Sequence, residues 1–318
     1  MLHVLITDAV DERYVDELKK TQGFQVDFRN GIKREELKGI IGNYECIIVR
    51  SRTKLDAELI SLARSAKLIV RAGVGIDNID VEAATARGIA VANTPWANVV
   101  SAAELTIAFA LALSRHICDA NASMHSGKWE TLRFTGTELR GKRLGIVGLG
   151  RVGREVARRA KAFEMEVVAY DPYISDGVAA SAGAKLMGFD ELLSTSDIVT
   201  LHASMLPGNV HLMGKREFEL MKRGALFINT ARGEMVDSAA LADALEQGRL
   251  AGAACDVFEG EPAVNERLKS MPNMLMTPHI GAQTREAQER VGKEVVEVVR
   301  SFFLEGRMMN VLNEHKIS

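Results

Sequence analysis

Three residues in the second half of the chain have side chains suited to a single reaction. Arg232 lies in Asn229-Thr230-Ala231-Arg232-Gly233, Glu261 in Glu259-Gly260-Glu261-Pro262, and His279 between Thr277-Pro278 and Ile280-Gly281-Ala282. A guanidinium stays charged at any working pH and grips a carboxylate through two parallel hydrogen bonds. An imidazole takes up and releases a proton near neutrality, which suits a general acid/base. A carboxylate beside that imidazole fixes its orientation and favours its protonated form. Hydride transfer between a 2-hydroxy acid and its 2-oxo acid needs these groups: a cation for the carboxylate and carbonyl, a proton carrier for the alkoxide, and an adjoining nicotinamide. Taken singly, each residue has an ordinary reading as surface arginine, turn histidine or solvated glutamate. Their order, each in a loop after a successive strand pattern, favours the chemical reading, because ligands of open α/β sheets gather at strand ends.

The nicotinamide has its own signal in Gly148-Leu149-Gly150-Arg151-Val152-Gly153. A GxGxxG alone is weak, but here the strand pattern Leu144–Val147 precedes it and the helical run Arg154–Phe163 follows. Asp171 lies 18 positions beyond Gly153, at the end of the next strand pattern. Gly148 permits the tight turn, Gly150 lets backbone N–H groups approach a pyrophosphate, and Gly153 lets helix and strand pack closely. The helix N-terminus adds partial positive charge. Asp171 is placed to accept from the adenosine ribose hydroxyls and to repel a 2′-phosphate, so the expected cofactor is NAD and not NADP.

The elements that must position these groups alternate between short β-branched runs and longer helical patterns. Strands are expected at 3–7, 46–50, 68–71, 89–93, 143–147, 166–170, 198–202, 225–229, 252–256 and 274–277. The alternation implies parallel sheets covered by helices, an α/β architecture. A turn at Asn93-Thr94-Pro95 precedes a helix expected over 101–117, with Ser101 as N-cap and Glu104 completing a capping box. A last helix is expected over 285–304, capped at Thr284. Because the glycine loop falls mid-chain, the strands before it must belong to another sheet. The expectation is two flavodoxin- or Rossmann-like domains. Residues 1–98 plus 285–318 form a substrate domain, and 99–284 form an NAD domain inserted into it. The active site is expected between them, a common place for ligand sites.

Composition narrows the partners. At 318 residues, two domains is the natural expectation, and 47% hydrophobic content allows a substantial core. A net charge of −2 gives no electrostatic case for nucleic acid or an anionic membrane. The longest apolar run, 105–113, is far short of the roughly 20 residues of a membrane helix. The start of the chain does not read as a secretory signal. An odd count of three cysteines, at 46, 118 and 255, excludes full intrachain disulfide pairing, and all three are expected buried. A cytoplasmic enzyme that holds no metal is expected.

With these motifs in place, the chain resembles the D-isomer-specific 2-hydroxyacid dehydrogenases from about residue 44 to 312. The resemblance rests on Val49-Arg50-Ser51, Arg71-Ala72-Gly73-Val74-Gly75-Ile76-Asp77, Asn93-Thr94-Pro95, Gly127-Lys128-Trp129, the glycine loop, Tyr170-Asp171-Pro172, Cys255-Asp256-Val257-Phe258 and the segments around Arg232 and His279. It implies that Arg232, Glu261 and His279 form a catalytic triad. It also implies cofactor contacts at Val74, Arg151, Val152, Asp171, His202, Ala203, Thr230, Ala231, Asp256, Gly281 and Ala282, with Asp256 toward the nicotinamide carboxamide. The substrate carboxylate is implied at Arg232 and at the backbone N–H groups of the loop 72–76, which includes Gly73, Val74 and Gly75. A homodimer is implied through the helix at 101–117 and the arm after it, with a tetramer as the alternative.

Within the family, the branch that oxidises 3-phosphoglycerate to 3-phosphohydroxypyruvate, the entry to serine synthesis, is the leading expectation. Its phosphate needs cations, and Arg50 and Arg71 match family positions, with Arg52 nearby and Arg133 as a weaker partner-cleft candidate. Ser204 stands where a proline is usual, and Thr131 where close relatives often carry a basic residue. The chain is expected to lack a serine-sensing regulatory domain. The alternatives are reduction of hydroxypyruvate, glyoxylate or another 2-oxo acid, and, from a different class, an NAD-sensing transcriptional corepressor. Formate oxidation is disfavoured because it needs no acid/base pair.

Overall fold

The computed structural model describes residues 1–317, apart from the side chain of Pro207. The chain folds into two compact units, Met1–Asn98 with Gln283–Ser318, and Val99–Ala282.

The first unit carries a parallel five-stranded sheet of β1 (Leu2–Ile6), β2 (Phe24–Phe28), β3 (Cys46–Val49), β4 (Leu68–Arg71) and β5 (Ala90–Asn93), in the order β2-β1-β3-β4-β5. This is the flavodoxin-like order. The sheet is covered on both faces, so central strands are continuously apolar. Along β3, Cys46 and Ile48 enter one core with Val4 and Ile6, while Ile47 and Val49 enter the opposite core with Leu5. The helix Arg285–Leu304 supplies Val291, Val295, Val298 and Val299 to the first of these cores. Its N-cap is Thr284, whose hydroxyl accepts from Ala287 N at 3.1 Å.

The second unit holds a parallel seven-stranded sheet: β6 (Arg143–Val147), β7 (Glu166–Tyr170), β8 (Lys185–Leu186), β9 (Ile198–Leu201), β10 (Ala225–Asn229), β11 (Leu250–Cys255) and β12 (Met274–Met276). The order is β12-β11-β10-β9-β6-β7-β8. Chain direction across the sheet reverses between β6 and β9. Such a switch point leaves a crevice beyond the strand ends, the usual ligand site of a doubly wound sheet.

Three local expectations need correction. The helix after the Asn93-Thr94-Pro95 turn spans Val99–Ser114, not 101–117, so Ser101 lies inside it with a buried hydroxyl and is not the N-cap. Glu104 consequently makes no capping box and pairs with Arg159 at 3.1 Å. His116, at φ 51°, breaks the helix, and Ile117–His125 forms a separate one. Cys118 lies on that second helix and is exposed, whereas Cys46 and Cys255 are buried. Among the described residues no single helix is long and apolar enough to cross a membrane. Helices Val99–Ser114 and Ile117–His125 approach that length only as a pair bent by 62°, and the first packs into the second unit's core through Ala103, Ile107, Phe109 and Ala110.

Candidate functional site

In the second unit, Gly148 ends β6 with φ 93°, a conformation that glycine alone adopts without cost. A side chain there is barred for a further reason: a Cβ would lie 2.4 Å from Ala203 N and 2.5 Å from Ala203 Cα. The glycine therefore lets the loop after β9 pass directly over the turn after β6. Gly153 has its own constraint, since a Cβ would lie 2.2 Å from the Gly148 carbonyl oxygen. Gly150 is the N-cap of the helix Arg151–Ala162, and nothing lies within 4 Å of where its Cβ would stand. Close packing at two glycines and open space at the middle one is the arrangement that admits a pyrophosphate to the helix N-terminus.

Asp171 follows β7 and is half-buried. Its Oδ2 accepts from Leu149 N at 2.8 Å and its Oδ1 from Tyr173 N at 2.9 Å. A carboxylate offers about four lone-pair sites, so acceptor capacity remains for a ribose while the residue also ties down the glycine loop. His202 follows β9, and its Nε2 lies 3.0 Å from Thr200 Oγ1. Desolvation pushes its pKa from 6.5 down to about 3, so the ring is neutral at working pH. Ala203 sits over Gly148 as described, and Ser204 is exposed, its carbonyl accepting from Asn209 Nδ2 at 2.7 Å.

The acid/base groups occupy the loops after β10, β11 and β12. Asn229, fully buried, pins the first loop from both ends: its Oδ1 accepts from Ala231 N at 3.0 Å and its Nδ2 donates to Arg232 O at 2.9 Å. Thr230 Oγ1 lies 2.9 Å from Thr106 Oγ1 on the helix Val99–Ser114. Gly233 then lets Arg232's loop touch the next one, since a Cβ at 233 would lie 1.9 Å from Phe258 C. Glu261 Oε1 meets His279 Nδ1 at 2.5 Å. Partial burial of Glu261 raises its pKa, but the bond and charge of His279, the Phe258 N–H and the charge of Arg232 together bring it below the ordinary carboxylate value. Glu261 is therefore an anion at neutral pH. It orients the imidazole through Nδ1 and leaves Nε2 for proton transfer. The structure brings Glu261 and His279 into direct contact, with Arg232 close enough to act on Glu261 electrostatically.

The sequence reading missed how this loop is held. Asp256 is 1% exposed. Its Oδ1 accepts from Thr277 Oγ1 at 2.5 Å and Ile280 N at 2.7 Å, and its Oδ2 from Gly281 N at 2.7 Å. Its carbonyl accepts from His279 N at 2.8 Å. His279 itself has φ 54°, unfavourable for a residue with a Cβ. Asp256 is thus the bracket that keeps His279 and the 280–282 segment in place. A carboxylate in an almost wholly apolar stretch was the available sequence signal.

The proposed substrate residues of the first unit lie at the ends of β3 and β4. Arg50 donates through one guanidinium nitrogen to Ala9 O at 3.0 Å and Gln288 Oε1 at 2.8 Å. Burial lowers its pKa, with the charge of Asp8 opposing. Arg52 is a partner of the buried Asp8, at 3.0 Å. Asp8 also accepts from Arg50 N and from Thr53, and was not singled out from sequence. Arg71 folds over Gly73, where a Cβ would lie 1.5 Å from its guanidinium. In the 72–76 loop, Ala72 N donates to Val49 O and Gly73 N to Arg71 O. The Val74 carbonyl accepts from Asn93 Nδ2 at 2.6 Å. Gly73 N is therefore already engaged by a carbonyl within its own loop. Arg133 is 62% exposed and bonds to Glu130 at 3.0 Å; Thr131 is exposed beside it. Among the described residues, no group of three or more His, Cys, Asp or Glu could hold a metal ion.

The chain is similar to known proteins along nearly all of its length. Residues 107–281 match the family described as D-isomer specific 2-hydroxyacid dehydrogenase, NAD binding domain. The chain is 48% identical over 297 residues to a D-3-phosphoglycerate dehydrogenase of Archaeoglobus fulgidus, covering 93% of this chain and 56% of that protein. It is 43% identical over 314 residues to the enzyme of the same name from Methanocaldococcus jannaschii, covering 98% and 60%. It therefore spans little more than half the length of these relatives. A crystal structure of a glyoxylate reductase from Paecilomyes thermophila superimposes with a TM-score of 0.90 at 32% identity, over 99% of both chains. A family match across more than half of the sequence, joined to identities of this size along nearly all of it, places the chain in the D-isomer specific 2-hydroxyacid dehydrogenase family.

Proposed function

We propose that the protein oxidises D-3-phosphoglycerate to 3-phosphohydroxypyruvate with NAD, the reaction that opens serine synthesis. The observation that carries the reaction class is the 2.5 Å contact between His279 Nδ1 and the anionic Glu261. The choice of substrate is supported by the identity to phosphoglycerate dehydrogenases along almost the whole chain.

In the oxidation direction, Arg232 holds the substrate carboxylate and His279 Nε2 takes the hydroxyl proton as C2 loses its hydride. Glu261 stabilises the imidazolium that forms. The bound NAD supplies the hydride acceptor. Gly148, Gly150, Arg151, Val152, Gly153 and Asp171 would hold its adenosine diphosphate half, and His202, Ala203, Thr230, Ala231, Asp256, Gly281 and Ala282 would flank the rest. Arg50, Arg71, Val74 and Gly75 are the proposed substrate ligands of the first unit. Arg50 is the better phosphate cation because its two guanidinium acceptors are neutral, whereas Arg52 is offset by Asp8. We further propose a cytoplasmic homodimer. Val100, Ile117, Met124, Trp129 and Leu132 are exposed, the last two at 82% and 89%, and an apolar series of this kind is a surface that a second copy would cover.

The likeness to a glyoxylate reductase over the full chain supports a second reading, reduction of a small 2-oxo acid without phosphate. NADH formation measured with 3-phosphoglycerate, D-glycerate, D-lactate and glycolate separates the two. The proposal expects the highest kcat/KM for 3-phosphoglycerate. A higher value for an unphosphorylated acid supports the second reading, and turnover on none of them supports a regulator.

A further inference from the structure

A second histidine–carboxylate pair lies on the turn that carries Glu261. His211 Nε2 is 2.7 Å from Glu259 Oε1, two residues before the glutamate that orients His279. The turn is compact: Glu261 N donates to Phe258 O at 3.3 Å, Phe258 N donates to Glu261 Oε2 at 3.3 Å, and Gly260 has φ 73°. Two imidazoles therefore grip alternate residues of one tight turn.

His211 is itself firmly placed. It has φ 49°, in the left-handed region, an uncommon conformation for a residue with a Cβ. Its N–H donates to Glu234 O at 2.9 Å, Met213 N donates to Met235 O at 2.9 Å, and Asp237 N donates to Met213 O at 3.0 Å. Residues 211–213 are thus stitched to the segment just after Arg232 and Gly233. That segment meets the Phe258–Glu259 backbone at the close approach only glycine permits at 233. The His211–Glu259 bond closes a ring through these three segments, with Arg232 at one corner and Glu261 at another.

We propose that His211 is a positioning residue for Glu261: its bond to Glu259 clamps the 258–261 turn onto residues 211–213 and so keeps the Glu261 carboxylate against His279. The role rests on the dehydrogenase reading above. The pair is about 40% exposed on both sides, so its contribution to global stability is small. Its effect is on the geometry of the acid/base pair, where small displacements are costly.

His211→Asn is the first test, because asparagine tolerates the left-handed backbone but is too short to reach Glu259. Glu259→Ala removes the other end, and Glu259→Gln keeps an acceptor oxygen in the same place. At saturating substrate and NAD, His211→Asn and Glu259→Ala should each lower kcat about 3–10-fold, with the double variant no worse than either, as expected of two residues acting through one bond. NADH affinity should stay within twofold, and Glu259→Gln should restore most of kcat. The ring nitrogen signals of His279, followed by NMR at fixed pH, should move together in His211→Asn and Glu259→Ala. Unmoved His279 signals overturn the proposal whether or not the parent turns over, and kcat within twofold of an active parent in both single variants overturns it as well. Failure of the parent on every 2-hydroxy acid counts against the dehydrogenase reading, and the NMR signals then judge the clamp on their own.

Discussion

Replacing Asp256 by asparagine keeps the shape of a side chain that is 1% exposed while removing its charge. The carboxylate accepts from Thr277 Oγ1 and Ile280 N on one oxygen and from Gly281 N on the other. An amide keeps one oxygen and turns the second acceptor into a donor. In the better orientation the oxygen faces Thr277 and Ile280, and the NH2 faces the Gly281 N–H. One charge-assisted bond is lost and a buried N–H is left without an acceptor, together about 2–4 kcal/mol. Against this stands the left-handed backbone of His279, at φ 54°, which costs about 1–2 kcal/mol to hold. The loss exceeds the strain being held, so the 277–281 loop should relax and carry His279 off Glu261. The expected outcome is a fall in kcat of about 10–100-fold, the range that a displacement near 1 Å produces. The melting temperature should drop by about 4–12 °C. NADH affinity, set chiefly by the glycine loop and Asp171, should change by less than about threefold. Steady-state kinetics, a thermal melt and NADH fluorescence titration measure these quantities. Unchanged kcat refutes the bracket. A tenfold loss of NADH affinity with an unchanged melt shows that Asp256 acts on the cofactor alone and not as the bracket.

Further outcomes follow from the same geometry. Asp171→Ser should cut the preference for NAD over NADP by at least about tenfold, because the variant lacks the charge that repels a 2′-phosphate; discrimination as strong as the parent's removes Asp171 as the ribose ligand. Gly153→Ala puts a methyl 2.2 Å from the Gly148 oxygen and should cost about 1–3 kcal/mol of stability. Gly177→Ala, in open space on a surface helix, should be neutral or stabilise by up to about 1 kcal/mol; equal effects in two urea titrations contradict the packing argument. His202 has its folded pKa depressed from 6.5 to about 3 by burial. The unfolded chain therefore binds the extra proton between those values, and the histidine's share of stability is lost as pH falls from about 6.5 toward 3. His202→Gln should narrow the stability difference between pH 7.5 and 4.5 by about 2–3 kcal/mol at most. An unchanged difference means the ring is not buried in the neutral form.

The sequence showed most of the second sheet because its central strands are short, largely apolar runs separated by helical patterns. It was less clear where one face is wet. β2, with Phe24, Val26 and Phe28 alternating with Gln25 and Asp27, is an edge strand whose period of two was passed over, and β8 is only two residues long. The N-terminal boundary of the helix Val99–Ser114 was misplaced because Ser101-x-x-Glu104 imitates a cap, whereas Ser101 is buried. At the site, residue identities were legible and their supports were not. Arg232, Glu261 and His279 stand out by chemical type. Asp256 holding 277–281 and Gly233 admitting Phe258 are long-range contacts with no local pattern, and Asn229 bridging its own loop depends on a loop conformation that residue type alone does not announce.

The central claim is that His279, oriented by Glu261, is the proton carrier of a hydride transfer. His279→Gln tests it most directly, with kcat for 3-phosphoglycerate oxidation and the NADH dissociation constant measured on the same preparation. The account predicts that kcat falls by about 10²–10⁴-fold while the dissociation constant stays within twofold of the parent. Near-normal turnover in a variant that binds NADH as the parent does contradicts it.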